Sequence, residues 1–339
     1  MKETDYIHGG LQRDTYTADD VVAVPCPLCG ADEPNELWRE RGALRIVRCR
    51  ACTLMYVSPR LRNPETVYHG AADDYIAEAR LIFEGRAAHH RDPNYRDDCE
   101  LLARFKPAGR LLDVGTNMGF FLRHAANRWN AMGVEPSPSL SEIARKHFGL
   151  DVRTAFLETA GFPAASFDVV TLTDVFEHIA EPRALLREIR RVLRPDGVAL
   201  VKVPNGAFNL FKQRVLQRFG RTGDFDIWDS YEHVVHYTAR TLRRMLESEG
   251  FRLLYEGIAR PVQTPMWHQR VGHYYQYPMP WALDWKRQTA RTILYHAARV
   301  ERVLRRRAGW LAPNLVAVAT PQLPQSTSVV SEARGEPVV

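Results

Sequence analysis

Four of the five cysteines fall in two pairs, Cys26-Pro-Leu-Cys29 and Cys49-Arg-Ala-Cys52, with 19 residues between them. A C-x2-C turn aims two sulfurs at one point, and two such turns complete a tetrahedral thiolate shell. Four thiolates leave no open position, so the spacing predicts a structural zinc ribbon; a redox or unmetallated set is the alternative. Glu36–Arg39 and Leu44–Arg48 supply the expected hairpin. A second pattern is LLDVGTNMGFFL, residues 111–122. An apolar run ends at Asp113, Gly115 and Gly119 space a turn, and an apolar stretch then opens a helix. Glycines let backbone approach a ligand, and the first turn of a helix offers free N–H groups. By itself this is equally an ordinary strand–turn–helix. Glu135 lies 20 residues after Gly115, at the end of the next expected strand. An acid there can accept bonds from both hydroxyls of a ribose, although a solvated strand-end acid has the same look. Three histidines are candidate bases near neutral pH: His178, His233 and His236. His178 and His233 equally suit loop bracing, and His236 reads as packing.

The elements that must position these residues alternate regularly. Strands are predicted at 111–114, 131–137, 151–156, 167–174, 198–204, 251–259 and 314–320, with helices at 96–105, 120–129, 140–148, 182–193 and 238–248. The alternation predicts an α/β fold, a doubly wound seven-stranded sheet whose ligands bind beyond the carboxyl ends of the strands. The expected domain plan is a loose arm (1–20), the zinc ribbon (21–60), a linker (61–95), the α/β domain (96–321) and a disordered tail (322–339). The α/β domain carries insertions at 206–230 and 261–312, rich in aromatic residues and arginines. The second insertion has an aromatic, proline-rich half with Trp267, His268, Tyr274, Tyr275 and Trp281. Its other half repeats Ala290, Ile293, Leu294, Ala297, Val300 and Leu304 at helical spacing. That half is read first as packing on its own domain or on a second copy, and otherwise as a basic amphipathic helix at 285–307 touching an anionic membrane.

Several of these segments together resemble class I S-adenosylmethionine (SAM)-dependent methyltransferases, over residues 110–321. Asp113-Val-Gly115-Thr116-Asn117-Met118-Gly119 has their D-x-G-x-x-x-G form, which differs from the G-x-G-x-x-G of NAD-binding proteins. GVEPS (133–137) resembles their second motif, and 166–205 their fourth and fifth strand block. YEHVVHYTARTLRRMLESEGF (231–251) is similar to a segment of the small-molecule members. The resemblance implies a Rossmann-like methyltransferase sheet in which Asp113, Gly115, Thr116, Asn117 and Gly119 hold the methionine part of SAM. It implies that Glu135 binds the ribose, that the turn at Phe156 and Leu157 meets the adenine, and that Asp174 borders the methyl group. Asp174, His178 and His233 are the implied catalytic residues. Asp174-Val-Phe-Glu177-His178 is similar to the E-x-x-E-H of ubiquinone-type O-methyltransferases, which implies a divalent cation at Asp174, Glu177 and His178.

The expected activity is O-methylation of a sugar, glycolipid or natural-product hydroxyl on a small or carrier-linked acceptor. Two rival readings are an RNA methyltransferase with the ribbon as its RNA-binding module and an inactive binding module of the same fold. The formal charge of +6 permits nucleic acid. Strand four ends in TLTDVFEH, however, and lacks the N-P-P-(Y/F)-like run of many base N-methyltransferases. Nucleic acid is therefore not the expected partner. No run of about 18 apolar residues and no apolar leader is present, which points to a cytoplasmic protein, peripheral at most to the inner membrane face. A homodimer is a further expectation.

Overall fold

A computed structural model describes residues 15–62, 80–86, 88–89, 91–220, 227–262, 270–271, 274–275, 285–305 and 309–322. The first insertion is described except for 221–226. Trp267, His268 and Trp281, singled out in the second, lie outside the described residues.

The N-terminal part contains β1 (Val21–Val22), β2 (Pro34–Glu40), β3 (Leu44–Cys49), β4 (Met55–Val57) and β5 (Arg60–Leu61). Helix α1 (Asp92–Ala103) starts four residues earlier than the apolar pattern predicts, because Pro93 suits a first turn. The central sheet is built from β6 (Arg110–Val114), β7 (Asn130–Glu135), β8 (Val152–Thr154), β9 (Phe167–Thr173) and β10 (Leu193–Pro204). Between them run α2 (Phe120–Ala125), α3 (Pro138–Phe148) and α4 (Pro182–Val192). Then follow α5 (Gly206–Arg218), β11 (Val235–His236), α6 (Ala239–Ser248), β12 (Phe251–Ile258), the short pair β13 (Arg270–Val271) and β14 (Tyr274–Tyr275), α7 (Trp285–Arg305) and β15 (Asn314–Pro321).

The seven-stranded sheet has the order β12-β15-β10-β9-β6-β7-β8. From β8 to β10 every pair is parallel, while β15 runs antiparallel to both of its neighbours. Strand order reverses between β6 and β9, so a crevice opens beyond their carboxyl ends. This is the doubly wound, Rossmann-like sheet that the alternation of elements predicts. α4 shows how the helices are held: Leu185, Leu186, Ile189 and Val192 recur at helical spacing and are all buried.

A second sheet, β11-β4-β3-β2, is antiparallel throughout. Its strand β11 comes from the segment between β10 and α6, more than 170 residues after β4 in sequence. Cys26, Val47, Cys49, Cys52, Leu54 and Tyr56 share one buried cluster with Val201, Val234, Tyr237 and Leu242. The cysteine ribbon and the α/β domain therefore share a core.

On α7, Ile293, Val300, Val303 and Leu304 are exposed, whereas Ala298 is buried. Of the predicted stripe, Ala290, Ile293, Val300 and Leu304 are exposed while Leu294 and Ala297 are half-buried, so only part of it packs on its own domain. The helix is held from its other side, where the Arg302 guanidinium donates to the Glu256 carbonyl (2.6 Å) and lies over the Tyr255 ring. No described helix is long and apolar enough to cross a membrane.

One buried ion pair ties α1 to the sheet. Lys202 of β10 is 1% exposed and donates to Asp98, itself buried, with the Tyr95 ring 5.7 Å from the ammonium. Removing one partner leaves the other charged and dry, whereas removing both does not. Lys202→Met is expected to cost about 3–5 kcal/mol in urea denaturation, and Asp98→Leu with Lys202→Met is expected to recover most of that loss.

Candidate active site

The crevice is lined first by the β6–α2 turn. Gly115 (φ +69°) and Gly119 (φ +87°) both adopt left-handed backbone. A Cβ on Gly115 would lie 2.8 Å from the Val175 side chain, so the turn requires glycine there. Asn117 also has positive φ (54°), which asparagine tolerates better than most residues, and its side-chain oxygen accepts from the Met118 N–H (2.7 Å). That carbonyl is thereby engaged within the turn. Gly133 on β7 makes room for Thr116, whose methyl would be 2.6 Å from a Cβ at that position.

Glu135 is 5% exposed at the end of β7. One carboxylate oxygen accepts from the Asn117 N–H (2.8 Å) and the other from the Ser137 N–H (2.9 Å). Burial raises its pKa, and those two N–H groups oppose the rise. Beyond β8, Phe156 is 47% exposed and Leu157 is buried, so the ring is free to present a flat face at the mouth of the crevice. The residues fit SAM. The turn has glycine where backbone must come close, and a buried acid ends the adjacent strand β7. The Asp113 carboxyl, 2% exposed, accepts from the Thr171 hydroxyl (2.7 Å).

At the end of β9 the structure departs from the sequence reading. Asp174, in left-handed backbone (φ 57°), forms an ion pair with Arg91 just before α1. Arg91 was not legible as a site residue, because 83 positions separate the partners and no local pattern marks it. The ligand atoms of Glu177, His178 and His233 instead lie within 4.8 Å of one another. Asp174 is outside that group, so the expected trio of Asp174, Glu177 and His178 is replaced by one with His233 in it. The His178 and His233 rings meet edge to face, with centroids 4.6 Å apart. His178 Nδ1 is 3.0 Å from the Glu232 carbonyl oxygen. A carbonyl only accepts, so Nδ1 carries the proton and Nε2 the lone pair. His236 is buried against Trp228, consistent with packing.

In the cysteine ribbon, Cys26 and Cys52 sulfurs are 3.4 Å apart and those of Cys29 and Cys49 3.5 Å. All four lie within 4.8 Å of one another. Sulfurs about 2.3 Å from a tetrahedral ion would be about 3.8 Å apart, so the donor set fits Zn2+.

The crevice is electrostatically dry. Burial pushes the Glu177 carboxyl up to about 8, with the Glu232 charge adding to it and Arg91 opposing. Burial, and then the His178 ring, hold His233 well below the ordinary histidine range. Burial raises Asp113 to about 7, with the Glu135 charge adding to the rise and the Thr171 hydroxyl opposing it. A carboxyl raised in the folded state contributes stability that is complete below its unfolded pKa and is lost as pH rises through the folded value. Asp113 should therefore weaken the fold between pH 3.8 and about 7. In Asp113→Asn, urea midpoints at pH 5 and pH 8 are expected to differ less than in the wild type.

Residues 87–256 match the family model for a methyltransferase domain. A demethylmenaquinone methyltransferase of Thermus thermophilus is 33% identical over 177 residues, covering 46% of this chain and 80% of the relative. A ubiquinone biosynthesis O-methyltransferase of Xanthomonas axonopodis is 34% identical over 112 residues, covering 30% of this chain and 46% of the relative. This chain thus spans about half the length of that O-methyltransferase. Among solved structures, a complex of the Haloferax volcanii Trm112 methyltransferase activator with a methyltransferase gives a TM-score of 0.47 at 17% identity, covering 74% of this chain and 97% of that one. With the family model spanning half of its length, the chain belongs to the methyltransferase domain family and is a class I SAM-dependent methyltransferase.

Proposed function

We propose that the protein methylates a hydroxyl on a small or carrier-linked acceptor such as a sugar, glycolipid or natural product. The observation that carries this reading is the His178–His233 pair beyond β9, with the His178 tautomer set by the Glu232 carbonyl. SAM, when bound, supplies a methyl group on a sulfonium centre that is open to in-line attack. The Asp113, Gly115, Thr116, Asn117 and Gly119 turn would hold its methionine part. Glu135 would take the ribose, and Phe156 with Leu157 the adenine. His178 Nε2 would accept the acceptor's hydroxyl proton. His233, kept neutral by burial, would pack beside it without adding a second positive charge. Asp174 would border the transferred methyl group and hold Arg91 in place. One of the relatives is named an O-methyltransferase, which supports a hydroxyl acceptor.

A second reading has its own observation. The Glu177, His178 and His233 ligand atoms are close enough together to hold a divalent cation, which would make an acceptor hydroxyl more acidic. Activity lost in chelator and restored by Mg2+ supports it; chelator-insensitive activity overturns it. The four cysteines are assigned to structural Zn2+. The outward apolar residues of α7 sit on a helix with six basic residues and one acid, a combination that fits an anionic bilayer. These features support a reading in which the protein is cytoplasmic and peripheral to the inner membrane face, and no nucleic-acid partner is assigned.

Incubation with radiolabelled SAM and fractionated extract is expected to place label in glycan or lipid; label in RNA alone would overturn the acceptor class. Glu135→Ala is expected to weaken SAM binding by roughly two orders of magnitude in calorimetry while the far-ultraviolet circular dichroism stays unchanged. Unaltered affinity would remove Glu135 from the cofactor site. His178→Ala is expected to lower kcat by about 10²–10⁴ with SAM affinity intact.

A further inference from the structure

The segment that carries Glu232 and His233 is attached to the cysteine ribbon. Glu40, the last residue of β2, is 5% exposed. One of its carboxylate oxygens accepts from the N–H groups of Ile227 (2.9 Å) and Trp228 (2.8 Å), and the other from the N–H of Ser230 (3.0 Å). Three backbone donors converging on one buried carboxylate leave the segment 227–230 little choice of path. Two further contacts run the same way. Gln213 of α5 donates to the Leu37 carbonyl of β2 and accepts from the Trp228 indole, both at 3.0 Å. Arg41, next in sequence to Glu40, lies over the Tyr231 ring at 4.5 Å. Past His233, the Val57 N–H donates to the Val234 carbonyl (3.0 Å), and Val235 and His236 pair with Tyr56 and Met55. The histidine segment is thus fastened to the ribbon sheet on both sides of His233.

We propose that Glu40 is a positioning residue of the acceptor site. Its carboxylate, delivered by the ribbon hairpin, sets the path of the segment that presents His233 and the Glu232 carbonyl, so the ribbon and the acceptor half of the crevice form one unit. The inference deepens the O-methyltransferase reading for His178 and His233 and rests on it for its catalytic meaning. The geometry of the clamp can be tested without an acceptor.

The cofactor half of the crevice is built by β6, β7 and β8 and makes no use of Glu40. Loss of the clamp should therefore loosen 227–236 and leave SAM binding unchanged. The experiment is amide hydrogen exchange on the full-length, SAM-saturated protein, comparing wild type with Glu40→Gln, Glu40→Ala and Glu36→Gln. Gln keeps one acceptor oxygen but turns an NH2 toward the Ser230 N–H, so exchange in 227–230 is expected to rise about tenfold, and further in Glu40→Ala. Glu36→Gln, on the exposed face of the same strand, should match the wild type. In histidine-labelled protein the His178 and His233 ring signals are expected to shift in Glu40→Gln while that of His124, held by Asp92 (2.8 Å), stays in place. Unchanged exchange in 227–236 for both Glu40 variants would overturn the proposal. So would a uniform rise across β6–β9 with loss of SAM binding in Glu40→Gln, which would mark Glu40 as a general stability residue. Failure of His178→Ala to lower kcat would instead count against the base assignment and leave the clamp standing.

Discussion

Buried carboxylates that accept backbone N–H groups shape this crevice. Glu135 ties the cofactor turn to the start of α3 through Asn117 and Ser137. Glu40 ties the histidine segment to the ribbon through Ile227, Trp228 and Ser230. The physics is the same in both cases. A loop that dips into a protein carries polar N–H groups that must be satisfied, and one carboxylate can satisfy two or three of them in a fixed geometry. The same bonds offset the cost of burying the charge. Each acid is raised by burial and pulled back by those N–H groups.

The central charges follow from the same dryness. Lys202 and Arg91 are cations near the inner end of the crevice, and each has a committed acid, Asp98 and Asp174 respectively. Asp113 has no Lys or Arg ion pair among the described residues, and Glu177 has only the His178 ring, 3.8 Å away; both acids are pushed into the neutral range by burial. His233 stays neutral for the same reason. A sulfonium and a leaving thioether change the local charge by one unit during methyl transfer. Cations already paired with fixed acids undergo little reorganisation in response.

Legibility in the sequence followed contact range. Asp113, Gly115, Gly119 and Glu135 lie within one strand–turn–helix–strand unit, where spacing dictates geometry, and the structure gathers them at one crevice. The four cysteines likewise announce themselves by two short turns and come together. Arg91 with Asp174, Lys202 with Asp98, and Glu40 with Trp228 are separated by 83, 104 and 188 positions. Nothing in the neighbourhood of any of the six marks its partner, because the sheet topology alone brings them together. The stripe on α7 was legible only in part, for a related reason. Helical periodicity shows that a helix has an apolar face and does not say whether that face meets its own domain. Here the domain is met by Ala298 and Arg302, and Ile293, Val300 and Leu304 point away.

The junction of the two sheets gives the ribbon a physical rationale. Residues 227–238 lead into α6 with only β11 as regular structure among the described residues. Two residues of strand are too few to hold such a segment unaided, since an isolated short pairing is marginal in water. Adding β11 to a sheet already braced by the four-cysteine cluster satisfies its backbone and shares its burial with Tyr56, Leu54 and Val47. The ribbon sheet thus supplies the external edge with which the histidine segment pairs.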